Sequence, residues 1–149
     1  MQLTSLALKE AMTALTDSGG VFDPTKLWIG VATAIVPNGI NTALTAITPA
    51  PGTLAPLQEI LSWGPAYLSK GNLETVDSGI HTFSPTTVAD AALIVGWYLM
   101  DAASGGNLIA FGFLAVSAPL AGPQNVLSIV LRITVDPAGT WDVSQSWDD

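Results

Sequence analysis

A chain of 149 residues has the size of one domain and can bury on the order of 70% of the surface its unfolded form exposes. It has no cysteine, which excludes a disulfide framework and thiolate chemistry. Its net charge of −8, with only Lys9, Lys26, Lys70 and Arg132 basic and scattered, argues against nucleic acid, whose phosphates need a basic surface.

In chain order, Leu8, Ala11, Met12 and Leu15 form one stripe at helical spacing, which predicts a short helix over residues 3–17. Thr4 or Ser5 serves as its cap, and Gly19-Gly20 follows its end. Lys26 to Val36 reads as a first strand, with Leu27, Ile29 and Val31 on one side, stopped by Pro37-Asn38-Gly39. Asn41 to Pro56, rich in Thr, Ala and Pro, reads as an extended excursion. Leu57 to Leu61 fits strand or helix, Ser62 to Pro65 a turn, and Ala66 to Leu68 a brief strand. Leu73–Val76 and Ile80–Ser84 flank Asp77-Ser78-Gly79 as a second hairpin would.

The centre of the chain is Ala91 to Val116. Two runs rich in β-branched and aromatic residues, holding Trp97, Tyr98, Phe111 and Phe113, flank the polar island Asp101–Asn107. Gly105-Gly106 supplies the positive φ that a hairpin connection needs. This predicts a β-hairpin buried on much of both faces. Pro119 to Pro123 reads as a loop. Val126 to Val135 then alternates as one strand, with Leu127, Ile129, Leu131, Ile133 and Val135 on its core face. Asp136 to Gly139 is a turn, and Trp141 to Ser146 a closing strand. About eight short strands separated by turn signals predict a single domain over 1–149, mainly β. The expected form is a two-sheet antiparallel sandwich of jelly-roll type with one N-terminal helix.

No catalytic residue, cofactor site or metal site is expected. His81 is the only histidine, so a borderline metal lacks ligands. A strand through His81 would not converge Asp77 and Ser78 into a triad. Nothing in the spacing of the carboxylates singles out a pair facing each other across a cleft. Trp28 and Trp97 lie inside apolar runs, whereas Trp63 and Trp147 stand at turn or tail positions. The latter two are candidate interface anchors, or sugar platforms in a carbohydrate-binding module. Leu8, Met12 and Leu15 are further interface candidates, if the helix docks on a neighbour rather than on its own sheet.

Only 11% of residues are charged and the mean hydropathy is +0.48, against roughly 25% charged in ordinary soluble domains. No apolar run approaches the roughly 18 residues of a spanning helix. Asp101 and Gly105-Gly106 cut the longest candidate, and Lys9-Glu10 interrupts any signal-peptide pattern. The strands are too irregular for a transmembrane barrel. No membrane partner is expected; the surface is instead expected to be covered by other chains.

The order of elements resembles that of small β-rich virion structural proteins of tailed bacteriophages. The segments that carry it begin with the stripe Leu6–Leu15, Leu27-Trp28-Ile29-Gly30-Val31 and Thr53-Leu54-Ala55-Pro56-Leu57. Leu61-Ser62-Trp63-Gly64-Pro65 follows, then Ile94 to Asp101 with a Gly turn and two apolar strands. Members of that group tend to carry charges after the Gly turn, whereas Leu108 to Val116 here is uncharged. The resemblance implies a non-enzymatic decoration or cementing protein on the head surface of the virion. Its partner would be the major capsid protein or another virion subunit, and it would act as a homo-oligomer, a trimer being one form. A tail or head–tail connector role is the alternative the resemblance leaves open.

Overall fold

The computed structural model describes residues 27–38, 42–61, 63–69, 73–135 and 141–145. The helix expected over 3–17 lies outside these residues. The described part is mainly β: β1 (Trp28–Ile35), β2 (Ile47–Pro49), β3 (Gln58–Glu59), β4 (Tyr67–Ser69), β5 (Leu73–Asp77), β6 (His81–Phe83), β7 (Ala92–Met100), β8 (Leu108–Leu120), β9 (Leu127–Ile129), β10 (Leu131–Val135) and β11 (Trp141–Gln145). Three single-turn 3-10 helices, Leu44–Ala46, Gly52–Leu54 and Val88–Asp90, are the helical elements among the described residues.

The described residues gather into two compact units, one from Leu27–Glu59 and His81–Ser128, the other from Ile60–Ile80 and the chain from Ile129 onward. The first carries an antiparallel sheet in the order β2-β1-β7-β8. Here β2 and β3 share one edge of β1, pairing with its C-terminal and N-terminal halves respectively. The second unit carries the antiparallel sheet β11-β10-β5-β4, and β6 pairs with β9 in a separate two-stranded ribbon.

Strand β7 is the central strand of the larger sheet. Ile29 opposes Leu99 and Val31 opposes Trp97 on one face, and all four are buried. On the other face Gly30 opposes Tyr98 and Ala32 opposes Gly96. There Tyr98 and Met100 form a cluster with Ala32, Ile35 and Ile47, flanked by Leu57, Leu108 and Phe111. Both faces close because each large ring lies over a glycine on the neighbouring strand, which leaves the ring room against the backbone. Trp97 lies on Gly112, its direct partner in β8, and Tyr98 on Gly30, its direct partner in β1. At about 25 cal/mol per Å² and roughly 200 Å² for such a ring, burying Trp97 contributes on the order of 5 kcal/mol.

Five expectations are corrected. The hairpin across Asp77-Ser78-Gly79 does not form, because β5 pairs with β4 and β10 while β6 pairs with β9. Ser78, the expected turn residue, instead engages both backbone groups of Leu131: its N–H donates to the Leu131 carbonyl and its Oγ accepts from the Leu131 N–H, each at 2.9 Å. For the same reason Val126–Val135 is two strands, broken at Val130 where the chain leaves β6 for β5. Of its expected core face, Ile129, Leu131 and Ile133 are buried and Leu127 is partly buried. Strand β8 runs through Pro119 to Leu120 rather than ending in a loop before them. The central hairpin is present, but burial on both faces belongs to Gly96–Met100 of β7 and not to β8. The excursion at 41–56 is also more regular than read, since it holds β2 and two of the 3-10 turns.

A methyl group added at Gly112 would sit 2.5 Å from Cζ2 of Trp97, and one at Gly30 would sit 2.5 Å from Cζ of Tyr98. Gly112→Ala and Gly30→Ala are each expected to destabilise by about 1–3 kcal/mol in urea unfolding. Gly79→Ala, with nothing within 4 Å of its added carbon, is expected to be neutral or slightly stabilising.

Candidate functional site

The feature that most resembles a site is an edge. Among the described residues β8 pairs with β7 on one side and with no strand on the other. No charged residue stands between Asp101 and Arg132, so the usual device of an edge lysine is missing. Large apolar side chains lie open along it: Phe113 is 51% exposed, Val116 79% and Ile109 38%. Phe111 and Phe113 meet edge to face, with ring centroids 6.5 Å apart and planes at 85°, a favourable arrangement for two rings.

The register along β8 shows where this edge is regular. Tyr98, Trp97 and Gly96 oppose Phe111, Gly112 and Phe113 in step; then Ile94 opposes Ala118. Four residues of β8, Leu114 to Ser117, therefore face Val95 alone, a wide bulge that leaves Ala115, Val116 and Ser117 exposed. Pro119 lacks an N–H for any further strand. A second slip, between Leu99 and Met100, sets Ile109 out of step, since Ala110 opposes Leu99 and Leu108 opposes Met100. The regular free edge is thus confined to Ala110–Phe113. The start of β8 is held by the loop below it, where Asn107 donates its backbone N–H to Oδ1 of Asp101 at 2.6 Å and its Nδ2 to Oδ2 at 2.9 Å. Those bonds hold the Asp101 carboxyl below the ordinary aspartate value. Gly105 takes φ +66° in the same loop.

The polar side chains elsewhere are engaged locally. Asp77 on β5 accepts from Tyr67 Oη at 2.6 Å on Oδ2 and from Arg132 Nε at 2.9 Å on Oδ1, which ties β4, β5 and β10 together. Burial first, and then the bond to Asp77, raise the Tyr67 phenol above its ordinary value, so it stays a donor at neutral pH. His81 is half-buried; its Nδ1 lies 3.3 Å from Oε1 of Gln58, whose Nε2 donates to the Thr82 carbonyl at 2.6 Å. Burial lowers the His81 imidazole below its ordinary value. Asp90 Oδ2 accepts from Thr53 Oγ1 at 2.9 Å, and Gly52, at φ +58°, packs directly on that carboxylate. Among the described residues no three His, Asp or Glu side chains gather as a metal site would require, and no helix is long and apolar enough to cross a membrane.

Of the predicted interface residues, Trp63 is described; Leu8, Met12, Leu15 and Trp147 lie outside the described residues. Trp63 is half-buried beside Val76 and Ile133, with Ala66 and Val143 in the same cluster. Its backbone bridges Ser78, and its Nε1 is buried with no hydrogen-bond partner. Ile109, Phe113 and Val116 were not singled out by sequence reasoning. An apolar run reads as core whether its strand lies inside a sheet or at its rim. The only local hint is the small, polar-tolerant stretch Ala115 to Ala118. No protein-family model, curated protein or solved structure matches the chain.

Removing the shared carboxylate in Asp77→Ala leaves Arg132 and Tyr67 without that partner and is expected to cost about 1.5–3 kcal/mol, while Tyr67→Phe costs about 1; urea unfolding of the two variants and their double mutant checks the order. For His81 the folded value lies below the unfolded one, so the unfolded chain binds the proton first. Stability is therefore expected to be complete above the ordinary value of 6.5 and to fall as pH drops from there through the folded value. His81→Asn is expected to flatten that part of the pH–stability curve.

Proposed function

We propose that this protein is a non-enzymatic structural subunit of a bacteriophage virion, most specifically a decoration or cementing protein that bridges neighbouring capsid subunits on the head surface. The observation that carries the reading is the long, uncharged rim of the larger sheet, with Phe113 and Val116 open to solvent on a chain with few charges. Apolar surface of this kind marks contact with other protein. The order of segments described above, from Leu27-Trp28-Ile29 to the central hairpin, supports the virion assignment by resemblance. In this reading the antiparallel sheets belong to a jelly-roll-like sandwich, and the protein acts by surface burial as a homo-oligomer. Stable interfaces of this kind bury roughly 1,600 Å².

An antibody against the purified protein, applied to intact virions from its source, tests this. Regular labelling of the head shell is the expected result. Labelling confined to the tail would move the protein to the connector alternative, and its absence from purified particles would overturn the assignment.

A further inference from the structure

We infer that the unit holding β4, β5, β10 and β11 opens separately: it unfolds and recloses while the sheet β2-β1-β7-β8 stays folded, and the rung that closes it is held by the Ser78 hydroxyl. Elements that rearrange on binding are drawn from such low-stability parts of a protein, and this holds whatever particle the chain enters.

The two units bury different cores, and local stability follows the apolar area taken from water. In the unit of β4, β5, β10 and β11 the buried apolar side chains among the described residues are Ile60, Val76, Ile129, Leu131 and Ile133, all aliphatic. The unit of β1, β7 and β8 buries Phe83, Trp97, Tyr98 and Met100 besides its aliphatic residues, and large rings dominate core energetics. The strands differ in the same sense: β4 has three residues and β5, β10 and β11 five each, whereas β1, β7 and β8 have eight, nine and thirteen. Polar groups are buried on the weaker side. Thr75 and Ser78, the buried polar residues among those described, both belong to it. Trp63 is there too, and its Nε1 is buried with no hydrogen-bond partner, an arrangement that costs the folded state.

The closing rung is unusual. Ile133 opposes Val76 and Arg132 opposes Asp77, and one more step in that register brings Leu131 opposite Ser78. In a regular antiparallel rung the two residues exchange backbone N–H and carbonyl groups both ways. Here the Ser78 N–H donates to the Leu131 carbonyl, but the Leu131 N–H donates to Ser78 Oγ. That hydroxyl in turn donates to the Gly79 carbonyl at 2.9 Å. Beyond it Gly79 and Ile80 are exposed and lie in no strand. The ladder of β5 and β10 therefore ends on a side-chain hydroxyl, and the buried Leu131 amide depends on it for an acceptor.

Native-state hydrogen exchange in low urea tests this, following the amides of Val76, Leu131 and Ile133 against those of Ile29, Trp97 and Leu99. In the natural protein the first set is expected to exchange at least about tenfold faster, with one shared urea dependence shallower than that of the second set, because less surface is exposed. Gly112→Ala, which crowds Trp97, is expected to speed the second set and leave the first unchanged; Gly30→Ala serves if that variant does not fold. Ser78→Ala is expected to speed Val76, Leu131 and Ile133 together by about ten- to hundredfold, and Ser78→Thr, which keeps the hydroxyl, to restore most of the protection. Equal rates and urea dependences for the two sets, or a Gly112→Ala effect on both alike, overturn separate opening. A Ser78→Ala effect on Leu131 alone, or none, overturns the role of the rung. If no glycine or serine variant folds, the urea dependences of the natural protein still decide whether the unit opens by itself.

Discussion

The larger sheet depends on two rings laid over two glycines. Trp97 occupies the space that Gly112 leaves on one face of β7, and Tyr98 the space that Gly30 leaves on the other. A side chain at either glycine would lift the ring off the sheet, and with it the neighbours that complete the core: Ile29, Val31 and Leu99 on the Trp97 face, Ala32, Ile35 and Met100 on the Tyr98 face. This is why Gly96–Met100 of β7 can be buried on both sides although the strand lies in an antiparallel sheet, where one solvated face is the more common arrangement.

That packing also settles where the sheet stops. β1 gives one edge to β7 and the other to β2 and β3. β8 gives one edge to β7 and, among the described residues, no strand pairs with the other. The glycine that seats Trp97 is flanked on β8 by Phe111 and Phe113, whose rings turn to the opposite face and meet each other there. Strand edges are commonly blunted by charge, proline or a bulge. β8 has the bulge and Pro119 toward its C-terminal end, a register slip at Ile109 near its start and no charge anywhere, so among the described residues the regular stretch Ala110–Phe113 is left open. The few charged groups are spent on local order instead: Asp77 bridges Tyr67 and Arg132, Asp101 closes the hairpin loop, and Asp90 gathers Thr53 and Gly52.

Where local chemistry determines structure, the amino-acid sequence was a good guide. The alternation of Ile129, Leu131 and Ile133 named the core face of β10 and its approach, and the run from Ile94 to Met100 with Gly105 named the central hairpin. It failed where a distant residue decides. Asp77-Ser78-Gly79 has ordinary turn chemistry, yet Ser78 is bonded to Leu131, 53 residues away, and the two strands beside it go to different sheets. Nothing near Val130 announces the break there, for the same reason. The candidate interface was hidden by a related ambiguity: the hydrophobicity of β8 reads as core, and only strand order shows that, among the described residues, no second strand lies on its far side. Trp63 illustrates the converse, since a turn position suggested exposure and the ring is half-buried against Val76 and Ile133.

Amide hydrogen exchange over Ala110–Phe113 addresses the covering of this rim most directly, comparing dilute protein with the concentrated, assembled protein. In a lone sheet, alternate amides of an edge strand bond to the neighbouring strand and the others face water. The account predicts that the water-facing set passes from fast to slow exchange on assembly. Fast exchange of that set under both conditions would contradict it.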